Sequence, residues 1–167
     1  LAVVCLRTPI LAKGLSDSRT LRESIAFTGD GARRVIVDNV WGSIVVSGYA
    51  GDTVEMVAHE TVKARSQERI ELARREVEID INKSAGEIEI YVDGPFRCRD
   101  REDRRDRGNC WNDWDDNYEV IYDFEIRVPF AVDLKVSTVT DGDVEVSDIR
   151  GDFQVHNVNG EVEIARM

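Results

Sequence analysis

The chain is short of the residues on which most site chemistry depends. It holds 2 histidines, 3 cysteines and 3 prolines in 167 residues. His59 and His156 are far apart, and neither has a cysteine or a second histidine close by in the chain. That spacing is not a zinc pattern, and a Ser or Cys nucleophile would have only these two imidazoles to serve as base. His156 lies in the turn-like stretch HNVNG and reads as a turn or surface residue, while His59 lies in a strand-like stretch with no cysteine nearby. The GDG at 29–31 and the other Asp-Gly pairs lack the GxxxxGK setting that cradles phosphate. No apolar run approaches the ~18 residues of a membrane-spanning helix. Basic charge is also scarce, with 22 Lys and Arg against 33 Asp and Glu and a formal charge of -11. Such a balance argues against a phosphate-backbone partner. The expectation is a non-enzymatic protein with no cofactor, no nucleic-acid partner and no transmembrane span.

The cysteine count is odd, so at least one thiol is free, modified or paired outside the chain. Cys98 and Cys110 flank a very polar loop and are a candidate disulfide, whose closure would be worth roughly 3 kcal/mol. Residues 1–6, LAVVCL, read as a buried first strand; the alternative is the tail of an export signal or a lipid-attachment site at Cys5. Val4 stands where a lipid-attachment site normally has a small residue. Residues 1–23 therefore read as an N-terminal arm or edge strand, followed by one domain over residues 24–167.

Where the chain is rich is in regularly spaced glycine. Gly142, Gly151 and Gly160 are nine residues apart, and each is followed by alternating apolar residues: Val144 and Val146, Phe153 and Val155, Val162 and Ile164. The same grammar appears around Gly42, with Ile44 and Val46 after it, around Gly51, and around Gly86 with Ile88 and Ile90. Alternation with period two means a strand with one buried face, and the Asp, Asn and Gly between the strands suit tight turns. A nine-residue strand–turn unit cannot bury its own apolar face, so units must stack. The expectation is an all-β chain built as a β-solenoid or β-roll, with Gly42, Gly51, Gly86, Gly142, Gly151 and Gly160 as its structural turns; ordinary hairpins are the plainer alternative. After Gly51 the apolar residues Val54 and Met56 come one place late, which an extra turn residue or a bulge would absorb.

One helix interrupts the strands. In SQERIELARREVEIDI, Ser66 can cap the start, Ile70, Ala73 and Val77 share a face, and the helix should end near Arg75 or Glu76. Residues 24–27 and 33–37 read as a strand pair around residues 28–31. Residues 97–117 differ in kind: 6 Arg and 7 Asp or Glu cannot form a core, so this segment reads as a charged loop excursion. Strand alternation resumes at Tyr118 and runs cleanly to Pro129.

The passage IRVPFAVDLKVSTVTDGDVEVSDIRGDFQVHNVNGEVEI, residues 126–164, resembles the DUF4097 group of bacterial proteins, often labelled adhesins. VIVDNVWGSIVVSGYAGDTVEM, residues 35–56, and the helix after it match in kind and place. The resemblance covers residues 24–164 apart from the charged loop. It implies a β-helical or β-roll fold, export to the cell envelope or beyond, and no established enzymatic site. The charged loop, with its cysteines and tryptophans, departs from the group's pattern.

Candidate interaction residues follow. Trp111 and Trp114 either fold back on the domain or dock on a protein or glycan, and Arg104 and Arg105 sit in a charge lattice suited to an interface. Calcium is the best metal candidate, with Asp113, Asp115 and Asp116 as one cluster and Asp141, Asp143, Asp148 and Asp152 in the turns; turn formation is the favoured reading of all of them. The repeats run to Ile164 with no evident cap, so self-association through solenoid ends or edge strands is expected. The function this supports is a secreted or cell-envelope structural or adhesive protein, a self-assembling subunit. The alternative is a monomeric module binding protein or glycan through the Trp111/Trp114 loop.

Overall fold

The computed structural model describes residues 14–29, 31–97 and 117–166. The chain order is β1 (Leu15–Ala26), β2 (Arg34–Asp38), β3 (Ile44–Tyr49), β4 (Thr53–Ala64), α1 (Gln67–Glu76), β5 (Glu78–Ser84), β6 (Glu87–Asp93), β7 (Tyr118–Pro129), β8 (Asp133–Thr138), β9 (Val144–Ser147), β10 (Phe153–Asn157) and β11 (Val162–Ala165). These strands form two mixed sheets, one ordered β1-β4-β7-β3-β9-β11 and the other β10-β8-β2-β6-β5. The expected β-solenoid or β-roll is therefore not what forms. Pairing is parallel along β7-β3-β9-β11 and along β10-β8-β2-β6, but antiparallel along β1-β4-β7 and between β5 and β6. The cause lies in β1, β4 and β7, each 12 residues long. Long strands with no turn glycine inside them pair along their whole length as antiparallel neighbours and cannot coil with the short units.

The glycines also do not share one register. Gly42 and Gly142 precede β3 and β9, and Gly160 precedes β11, all in the first sheet. Gly86 and Gly151 precede β6 and β10 in the second. Successive nine-residue units thus alternate between sheets, and like glycines stack only every second unit. Gly51 belongs to neither column: it lies under the ring of Tyr49 in the turn to β4, where the displaced apolar residues begin. The anticipated pairing of residues 24–27 with 33–37 does not occur either. β1 runs antiparallel to β4 along its whole length, while β2 is held between β6 and β8.

The inward rows of both sheets meet in one core. Val54, Met56, Ala58 and Val62 of β4, the alternate residues from Tyr118 to Val128 of β7, and Ile44 and Val46 of β3 join Val35, Val37, Ile88, Ile90, Leu134 and Val136 of the second sheet in it. α1 begins at Ser66, whose hydroxyl accepts from the Arg69 N–H, and ends as Val77 returns to extended geometry. It buries Ile70 and Ala73 and packs on β4 and β7. Among the described residues no helix is long and apolar enough to cross a membrane.

Candidate functional site

Above the rung of β6 and β7, the parallel strands stack three more: β2 with β3, β8 with β9, and β10 with β11. A polar ladder runs up one side. Buried Asn39, just after β2, donates to the carbonyls of Trp41, Gly42 and Tyr122, at 2.8 Å for the last. At the next rung the Thr138 hydroxyl donates to the Gly42 carbonyl, and at the third the Asn157 amide donates at 2.9 Å to the Gly142 carbonyl. Asn39 thus reaches the Tyr122 carbonyl of β7, and Thr138 and Asn157 each satisfy the glycine carbonyl of the rung before theirs. Gly160 supplies the next carbonyl in the series, and among the described residues no further strand pairs above it.

The apolar columns stop at the same place. Val144 and Val146 are 0% and 1% exposed, whereas Val162 and Ile164, paired with them in register on β11, are 45% and 44% exposed. In the other sheet Leu134 is 2% exposed, and Phe153, its partner on β10, is 39%. Val40 at the first corner is 2% exposed and Val158 at the last is 56%. Fully burying a side chain of this kind is worth about 1.5–3 kcal/mol, so this end leaves several kcal/mol of apolar burial uncollected. β10 and β11 are the edge strands of their respective sheets.

Charge on the outer face of the first sheet is uneven. Glu55 bonds Arg127 at 2.9 Å, Glu119 meets Lys63 at 3.2 Å, and Glu125 lies 3.6 Å from His59. Glu145 and Glu163, side by side on β9 and β11, are exposed, and among the described residues neither has an ion pair. Like charges directly opposite on neighbouring strands are destabilising.

A second cluster, unforeseen from the sequence, lies under α1. Glu60 is wholly buried and accepts from Arg19 at 2.7 Å, from Arg74 Nε at 2.8 Å and from the Tyr122 hydroxyl at 2.8 Å. Arg74 also bonds Asp17 at 2.8 Å. The only sequence signal was Glu60 itself, which occupies an inward position between Ala58 and Val62. Bonds to Glu60 hold the Arg74 guanidinium above its ordinary pKa. Burial, aided by the bond to Glu60, raises the Tyr122 phenol well above its usual 10.0. The folded state thus keeps the phenol neutral where the unfolded chain ionises it. Above about pH 10 the unfolded state binds fewer protons, and stability falls with rising pH; below pH 10 the contribution is fully present and does not vary with pH. The Tyr122→Phe variant should start about 1–2 kcal/mol less stable and lose less on alkaline titration. Urea unfolding between pH 9 and pH 11 should show its gap to the wild type narrowing; a constant gap would contradict the coupling.

Elsewhere, an open hollow of about 660 Å³ is lined by Arg33, Tyr49, Asp52, Pro129 and Phe130. Arginines already occupy its aromatic faces: Arg127 lies 4.4 Å from the Tyr49 ring centre and Arg150 4.7 Å from that of Phe130. The turn aspartates have local partners. Asp143 accepts from the Glu161 N–H, Asp148 pairs with Arg166, and Asp141 takes a left-handed φ of 50°. Asp152 donates its own N–H to Asp133. Among the described residues no three His, Cys, Asp or Glu side chains are placed to hold a metal ion. His156 is exposed on β10, and His59 meets the Thr20 hydroxyl at 3.1 Å. Cys5, Cys98, Cys110, Arg104, Arg105, Trp111, Trp114, Asp113, Asp115 and Asp116 lie outside the described residues.

No family model matches the chain, so membership of the DUF4097 group is not established. No curated protein matches it either. One solved structure is similar in part: a "putative cell adhesion protein" from Clostridium sporogenes, at 12% identity and a TM-score of 0.44. The similarity covers 88% of this chain and 59% of that one, so the chain spans less than two thirds of that protein's length.

Proposed function

We propose that the protein is a non-enzymatic structural or adhesive protein, acting outside the cytoplasm, that self-associates through the edge strands β10 and β11. One observation carries the reading: apolar columns that are dry through Val144, Val146 and Leu134 become wet at Val162, Ile164 and Phe153, on the two strands that are sheet edges among the described residues. Unpaired edges are templates for strand addition, and large exposed apolar residues gathered around them add a hydrophobic gain to the backbone hydrogen bonds. The opposite edge of the first sheet is blunted. β1 carries Asp17, Arg19, Arg22 and Glu23 along its length, the composition that natural edges use against pairing. Placement outside the cytoplasm rests on the sequence resemblance of residues 126–164.

Self-association through this end has to overcome the glutamates, so it should appear at high ionic strength, where exposed charges are screened. Sedimentation velocity in about 1 M salt is expected to show concentration-dependent association of the wild type. The double variant Val162→Lys, Ile164→Lys should remain monomeric with an unchanged melting temperature, since both positions are already half in water. Identical sedimentation of the two proteins under these conditions would refute the reading.

A further inference from the structure

We infer that the hollow beside the turn from β3 to β4 binds an acidic sugar, taking its carboxylate on Arg33 and its ring hydroxyls on Asp52. Three stretches of chain shape this hollow: residues 31–33 entering β2, the turn 49–52 after β3 and the turn 129–131 after β7. Backbone bonds tie them together. The Phe130 N–H donates to the Tyr49 carbonyl at 3.2 Å, and the Asp133 N–H to the Arg33 carbonyl at 2.9 Å. The Tyr49 hydroxyl donates to the Thr53 carbonyl at 3.0 Å, and its ring lies so close to Gly51 that a Cβ there would strike it. The walls are therefore set before any ligand arrives, and the volume of about 660 Å³ falls within the range of small-molecule sites.

The lining decides the ligand class. Arg33 and Asp52 both line the hollow, and among the described residues neither has an ion pair or a side-chain hydrogen bond. Neighbouring Arg127, by contrast, is committed to Glu55 at 2.9 Å. Arg33 stands 5.1 Å from the centre of the Phe27 ring. A guanidinium held over a ring keeps its in-plane N–H donors for a carboxylate, which they fit in pairs. A carboxylate only accepts hydrogen bonds, so Asp52 selects hydroxyl donors on the same ligand. Asp52 and the chain's charge of -11 also repel a second negative charge, so a single carboxylate suits the site better than a phosphate dianion. Ala32, Ala50 and Ala131 add short apolar side chains on which the C–H face of a sugar ring can lie. One carboxylate, several hydroxyls and an apolar ring face describe a uronic acid.

The test is an NMR titration of the full chain with three probes: methyl galacturonoside, the uncharged methyl galactoside, and free alanine. The uronate should shift the amides of residues 31–33 and 50–52, and the uncharged sugar should bind about tenfold more weakly. Arg33→Ala should weaken uronate binding by a similar factor, with Arg33→Lys intermediate because an ammonium lacks the paired donors. Asp52→Ala should weaken it too, since the hydroxyls lose their acceptor. If Asp52 only repels anions, that variant binds the uronate more tightly and the inference falls. The comparison of charged and uncharged sugar needs no variant, so it decides the matter even if Arg33→Ala fails to fold. Equal binding of the two sugars, shifts confined to other residues, or no binding at all would each overturn the inference. So would alanine binding more tightly than the uronate, which would make the site one for an amino acid whose ammonium meets Asp52.

Discussion

Replacing Glu60 with Ala should cost about 3–5 kcal/mol of stability in urea unfolding, the range seen when one partner of a buried ion pair is removed. Glu60 is 0% exposed and is the shared acceptor for two guanidinium groups and a phenol. Its removal leaves Arg74, whose side chain is 23% exposed, with Asp17 as its one remaining carboxylate partner, and leaves the Tyr122 hydroxyl without its acceptor. Arg19 is 42% exposed and can turn to water, so most of the loss comes from Arg74 and Tyr122. The same logic predicts rescue. Removing the charges together, as Glu60→Leu, Arg74→Met and Tyr122→Phe, should recover most of the loss, because an apolar replacement of the whole cluster leaves no uncompensated group. A Glu60→Ala loss below about 1 kcal/mol would show that the cluster does not anchor α1 to the sheet.

Gly42→Ala and Gly142→Ala should each cost roughly 3 kcal/mol, measured against Gly31→Ala as a near-neutral control. At Gly142 the added methyl would lie on the carbonyl of Gly42, a backbone atom that cannot rotate away. At Gly42 the obstruction is the Tyr122 carbonyl, and φ is +109°, a conformation side chains rarely adopt, so this variant should be the worse of the two. Around Gly31 nothing lies within 4 Å. The glycines are thus required by the distance between stacked turns as much as by turn conformation. If all three variants unfold at the same urea concentration, that close stacking is not a constraint on the fold.

These two expectations also separate what was legible in the residues from what was not. Ser66, Ile70 and Ala73 define α1 locally, and the unbroken alternation from Tyr118 to Val128 defines β7, because capping and period-two burial depend on neighbours in the chain. Glu60 broke the alternation of β4, but its partners Arg19 and Tyr122 are 41 and 62 positions away, so the break could be seen and its purpose could not.

By itself the sequence determined a mostly β chain with one capped helix, strands that bury alternate residues, and turns that need glycine, since each follows from interactions within a dozen residues. Only the tertiary structure decided which strands are neighbours. The nine-residue units look alike whether they coil in one column or alternate between two sheets, and the long β1, β4 and β7 settle it by pairing antiparallel with one another. It likewise decided that Val144 is dry and Val162 wet, although both follow a turn glycine by two residues: burial is set by whether another rung lies on top, which no local pattern records.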